Sequence, residues 1–175
     1  FGLTRTGYKY LEVGINPIKP SKVEIAIGDS HGKEIKLTYP MWKNITDNEH
    51  RIVDIFKQTA VRGNSPPSFI VEENLTLIFD KINDLSVLRM TTDNTRLVMS
   101  KLTVFNMINL KFVINSIYED LNSVVAIVDS KLLRFKTIIA NAKDTNVAKT
   151  AIVNDPAFDS KNKIDGELYA RLFST

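Results

Sequence analysis

The sequence predicts an α+β fold: two antiparallel β-sheets, each followed by helix in a pseudo-two-fold internal repeat, plus a C-terminal helix and tail. Three observations predict it. Apolar residues alternate with period two over short runs in the first third and again over residues 68–101. After each set of runs the apolar period lengthens to that of a helix. No Gly or Pro occurs from Ser68 to Asp155, which favours long regular elements in the second half.

The elements follow in order. Tyr8–Ile15 alternates crudely and is closed by Asn16-Pro17 and Lys19-Pro20. Lys22–Ile27 alternates cleanly, with Val23, Ile25 and Ile27 on one face and Lys22, Glu24 and Ala26 on the other. The turn-rich run Gly28–Gly32 then leads into Glu34–Tyr39, so residues 22–39 read as a hairpin. From Pro40, Trp42, Ile45, Ile52, Ile55 and Phe56 recur at helical spacing. The helix is expected to reach Ala60, in one or two pieces, with Thr46 or Asp47 as a cap and Arg62–Pro67 as its stop.

In the second half, Ser68–Glu72, Leu75–Lys81, Ser86–Thr91 and Arg96–Lys101 read as strands. Leu102–Leu121 and Val124–Ala142 read as helices parted at Asn122-Ser123. Residues 154–175 differ in composition and are expected either to dock as a short helix near Glu167–Phe173 or to run free. The organisation is then one domain, 1–153, made of repeats at about 8–62 and 68–121 with an added helix at 124–142, and a tail at 154–175. The best-matched pieces of the repeats, Lys33–Ile45 and Thr95–Met107, are each a short basic strand, a small hydroxyl residue and a helix opening on apolar residues.

Composition narrows the functions. With 43% hydrophobic and 25% charged residues, the 175-residue chain can bury a sizeable core. A formal charge of +3 and a pI near 9.0 permit anionic partners. The absence of cysteine excludes disulfides, thiolate metal sites and cysteine nucleophiles. No apolar run is long enough for a membrane span, so no membrane partner is expected. The start Phe1-Gly2-Leu3 is expected of a trimmed or processed chain. His31 lies beside Asp29 in a turn, and His50 lies near Asp47, Glu49 and Asp54 on a helix read as a solvated, capped face. Neither cluster makes a catalytic or metal motif, and no phosphate-cradling loop or nucleophile elbow appears. The expectation is a binding protein without cofactor or metal, not an enzyme.

Lys22–Ile27, Gly32–Thr38, Pro40 and Trp42 carry a resemblance. The stretch Tyr10–Ile45 resembles the single-stranded nucleic-acid-binding fold of the transcription coactivator positive cofactor four, and a duplicated version in one chain is similar to the plant Whirly proteins and their relatives. The resemblance implies sheets that present a curved face to extended nucleic acid, cations for phosphates and apolar or aromatic faces for bases. The candidate nucleic-acid-binding residues are Lys9, Lys22, Lys33, Lys36, Tyr39, Trp42, Lys43, Arg89, Arg96 and Lys101. Trp42 is open to two readings, a core residue or a stacking platform, with Tyr8 and Tyr10 as alternative platforms.

The function expected is sequence-tolerant binding of single-stranded DNA or RNA by a homo-oligomer, in transcription, replication or genome packaging. Such a protein belongs in the nucleus or another nucleic-acid-containing intracellular compartment, a viral one included. The alternative is a structural or assembly protein that self-associates through its helical C-terminal half. Ile108, Phe112, Ile127, Leu132, Leu133, Phe135, Ile138 and Ile139 are the candidates for that surface.

Overall fold

Alternation and helical period resolve into thirteen elements among the described residues of the computed structural model, which are 1–18, 20–58, 68–72 and 74–174. The strands are β1 (Lys9–Asn16), β2 (Lys22–Asp29), β3 (Glu34–Leu37), β4 (Ser68–Glu72), β5 (Leu75–Ile82), β6 (Leu85–Thr91) and β7 (Arg96–Ser100). The helices are α1 (Tyr39–Asp47), α2 (Glu49–Gln58), α3 (Lys101–Asn109), α4 (Lys111–Asn141), α5 (Thr145–Val153) and α6 (Lys163–Phe173). Two antiparallel sheets, β1-β2-β3 and β4-β5-β6-β7, are each followed by helices. The expected helix end at Ala60, the stop at Arg62–Pro67, Lys19 and Thr175 lie outside the described residues.

The chain divides into two compact units. The first holds Phe1–Gly14 and Glu24–Glu119, and the second holds Ile15–Val23 and Asp120–Thr175. In the first, both sheets turn their apolar faces into one core. Leu11, Ile25, Ile27, Ile35 and Leu37 come from the first sheet. Leu75, Leu77, Phe79, Leu88, Met90, Leu97 and Met99 come from the second. Trp42 of α1, the bulkiest of these side chains, packs in this core with Ile45 and Ile52. The second unit has its own core of Val128, Leu132, Phe135, Ile152 and Leu168, ringed by Phe158, Tyr169 and Phe173. There Lys131 Nζ holds the fully buried Asp165 carboxylate at 2.7 Å, which ties α6 to α4.

The duplication is visible position by position. Thr38 and Ser100, 62 residues apart, are the N-caps of α1 and α3; their hydroxyls accept from Met41 N at 3.3 Å and Thr103 N at 3.2 Å. At the same spacing, Ile35 and Leu97, Leu37 and Met99, Trp42 and Val104, Ile45 and Met107, and Ile52 and Ile114 are all buried. The hairpins differ by one turn residue, since Gly28 pairs with Glu34 but Thr91 pairs with Arg96. Glu49 and Lys111 hold equivalent places, each opening the second helix of its repeat, and they form an ion pair with each other at 2.6 Å. A position that contacts its own equivalent lies beside the pseudo-two-fold axis.

Three helix expectations are corrected. The helical stretch is in two pieces, α1 capped by Thr38 and α2 from Glu49, and the expected caps Thr46 and Asp47 lie inside α1. Helix α1 stops at Asn48, whose side-chain amide donates to Asn44 O at 2.8 Å and so competes with the helix's own backbone bonds. The expected break at Asn122-Ser123 is absent: Ser123 Oγ donates to Asp120 O at 2.7 Å, a bond made within a helix, and α4 runs through. The break comes instead at Leu110, the repeat equivalent of Asn48.

Candidate nucleic-acid interface

Strand pleating sorts each sheet into a core face and an outward face. On the first sheet the outward residues are Tyr10, Glu12 and Gly14 of β1, Lys22, Glu24, Ala26 and Gly28 of β2, and Glu34 and Lys36 of β3. Tyr10 lies across Gly28, where a Cβ would sit 2.4 Å from the ring and 2.9 Å from Lys33 O. Its hydroxyl donates to Glu34 Oε2 at 3.2 Å. Burial, with that bond and the charge of Glu34, raises the Tyr10 pKa. Lys36 pairs with Glu24 at 3.2 Å. This face is acidic.

The second sheet is different. Its outward residues are Ser68 and Ile70, then Thr76, Ile78 and Asp80, then Val87, Arg89 and Thr91, then Arg96, Val98 and Ser100. Ile70 is 68% exposed. Arg89 is engaged by Asp80, its neighbour across β5 and β6. Arg96 is exposed beside Thr91 and forms no ion pair among the described residues. β-Branched side chains, with a guanidinium that has no ion-pair partner among the described residues, make this face apolar and basic.

The candidates therefore separate. Lys9 is buried, and its Nζ binds Asp29 Oδ2 at 2.9 Å, holding that carboxyl below the ordinary carboxylate range. Asp29 in turn accepts from the backbone N–H groups of His31 and Lys33, which builds the β2–β3 turn with Gly32 at φ 82°. Trp42 is fully buried and donates from Nε1 to Asn115 Oδ1 at 3.0 Å, so its ring is closed to a base. Tyr39 is half-buried and stacked on Tyr118, with ring centroids 3.9 Å apart. Lys22 is exposed but falls in the second unit. Lys33 is exposed at the hairpin turn, and Lys101 is exposed at the start of α3, over the Phe105 ring. Arg89 and Arg96 are brought together on one face; Lys9, Lys36, Tyr39 and Trp42 are not part of it.

Lys43 lines an open groove of about 290 Å³ with Thr46, Asp47, Glu49, His50, Lys111, Phe112 and Asn115. Its charges are matched in pairs, Lys43 with Asp47 at 3.2 Å and Lys111 with Glu49 at 2.6 Å. Among the described residues no group of three His, Asp or Glu side chains is placed to hold a metal ion. None of the described helices is long and apolar enough to cross a membrane. Of the apolar candidates for an assembly surface, Ile108, Leu132 and Phe135 are buried in the cores. Phe112, Ile127 and Leu133 are more than half exposed.

Ile70, Ile78 and Val98 were not singled out by sequence reasoning, and neither were the outward carboxylates of the first sheet. Strand alternation alone assigns both sets to the outward side, once the direction of the core is known. No family model, curated protein or solved structure matches the chain.

Proposed function

We propose that this chain is a non-catalytic module that binds single-stranded DNA or RNA on the outward face of its second sheet. The observation that supports the reading is Arg96, which forms no ion pair among the described residues and shares an open sheet face with Ile70, Ile78, Thr91 and Val98. A guanidinium there neutralises a phosphate, and the flat β-branched surface takes the apolar faces of bases in an extended strand. Lys33 and Lys101 add exposed charge from a turn and a helix start. The acidic face of the first sheet repels the same ligand.

The test is fluorescence anisotropy of labelled single-stranded and duplex oligonucleotides at two salt concentrations. Binding is expected to be tighter for single strands and to weaken as salt rises. Arg96→Ala is expected to reduce affinity severalfold and to lower the salt slope by about 0.7, the share of one phosphate contact on a single strand. Lys36→Ala leaves affinity unchanged or tightens it, and Trp42 emission does not respond. Absence of binding at about 100 µM protein in low salt, the weak end of non-specific affinity, overturns the reading.

A further inference from the structure

The two sheets are copies of one folding unit, yet their outward faces have opposite character. The first sheet's outward face carries Glu12, Glu24 and Glu34 against Lys22 and Lys36, a net charge of −1. Glu12 is exposed and forms no ion pair among the described residues. Up to the irregularity that follows Ile70 in β4, with the exposed Glu72 beyond it, the second sheet's outward face carries Arg89 and Arg96 against Asp80, a net charge of +1, around the exposed Ile70. Glu12 on one face and Arg96 on the other form no ion pair among the described residues.

We propose that the acidic outward face of β1–β3 docks on the basic outward face of β4–β7 of a second copy of this chain. Sheets stack face to face about 10 Å apart; on one face the Tyr10 ring lies across Gly28, and on the other Ile78 and Val98 are short side chains, which suits that spacing. The two surfaces differ, so the contact is head-to-tail and propagates into a ring or an open chain of copies. Three or four strands spaced 4.8 Å apart and four to eight residues long offer on the order of 400 Å² per face. That places the interface at the small, transient end of the range, with micromolar or weaker affinity and marked salt dependence. The contact uses the same face as the proposed nucleic-acid site but is measured without nucleic acid, so either proposal can fail alone.

The experiment is sedimentation velocity on the full chain, over a concentration series to about 1 mM, on wild type, Glu12→Arg and Arg96→Glu. Both substitutions sit at exposed strand positions, and unchanged urea midpoints verify that the variants fold. The wild-type average mass is expected to rise with concentration and to fall with salt. Each variant alone is expected to associate at least tenfold more weakly. An equimolar mixture of the two recovers association, because the Arg96→Glu chain keeps its acidic face and the Glu12→Arg chain keeps its basic one. A wild type that stays monomeric throughout overturns the proposal. So does association that both variants retain, and so does a mixture that fails to recover it, as a self-complementary interface would.

Discussion

The two repeats agree on the inside and disagree on the outside. Ile25 and Ile27 of β2 face the core as Leu88 and Met90 of β6 do, and α1 and α3 begin, end and break at matching places. On the outward side, the repeat equivalent of Glu34 is Arg96 and that of Lys36 is Val98. Inward positions are held to one pattern because a shared core tolerates little change in volume or polarity. Outward positions are free of that constraint, and what they carry reflects what each face meets. Function is therefore to be sought where the repeats differ, not where they match.

The largest difference inside the core is Trp42 against Val104. Trp42→Ala is expected to cost about 3–5 kcal/mol, because it opens a cavity at a fully buried site and strips Asn115 of its donor. Val104→Ala removes only two methyl groups and is expected to cost about 2 kcal/mol. Urea denaturation of the two variants measures the contrast. Equal losses would mean that the core is anchored evenly by both repeats, and that the Trp is not its main support.

A buried ion pair marks the first repeat. Lys9 and Asp29 lie on the core side of their strands, 9% and 4% exposed in their side chains. Lys9→Met leaves the carboxylate buried without its partner and is expected to cost about 3–5 kcal/mol. Adding Asp29→Asn, which keeps an oxygen for the His31 and Lys33 amides, is expected to recover much of that loss. The pair also sets a pH dependence. The hydrogen bond from Lys9 lowers the Asp29 pKa from its ordinary 3.8, so in acid the unfolded chain takes up this proton first. The stabilisation is whole above the ordinary carboxylate value and is lost as pH falls through the lower folded value. In Lys9→Met the acid-dependent loss shrinks, and urea midpoints at neutral and acid pH measure the difference.

These examples show what the sequence carries. Clean alternation over Lys22–Ile27 made β2 legible, together with the side of it that faces the core. The strand–hydroxyl–helix pattern shared by Lys33–Ile45 and Thr95–Met107 pointed to the duplication that the buried positions display. Lys9 was misjudged as a surface cation because its partner, Asp29, lies twenty residues away and pairs with it only in the folded chain. Asn122-Ser123 looked like a helix end because Asn and Ser often cap helices, yet Ser123 satisfies its hydroxyl inside α4. Nothing in the composition around Leu110 marks a break there; only the comparison with Asn48 does. The candidate face suffered most, since a cation's value depends on its neighbour across the sheet, and pairing such as Arg89 with Asp80 is not written in either strand alone.

The smallest test concerns the caps, where the repeats come closest to identity. Thr38→Ala removes the hydroxyl that accepts from Met41 N and is expected to cost about 1 kcal/mol. Ser100→Ala removes the equivalent bond from Thr103 N and a second one, because Ser100 Oγ lies 2.8 Å from Thr103 Oγ1. Thr103 is buried, so its hydroxyl loses a partner it cannot replace from solvent. Ser100→Ala is therefore expected to cost more than Thr38→Ala, by about 1 kcal/mol. Thr103→Val in the Ser100→Ala chain removes the stranded hydroxyl and should bring the cost back toward that of Thr38→Ala. If the two single substitutions cost the same in urea denaturation, the Ser100–Thr103 contact contributes nothing, and the two caps are equivalent in energy as well as in position.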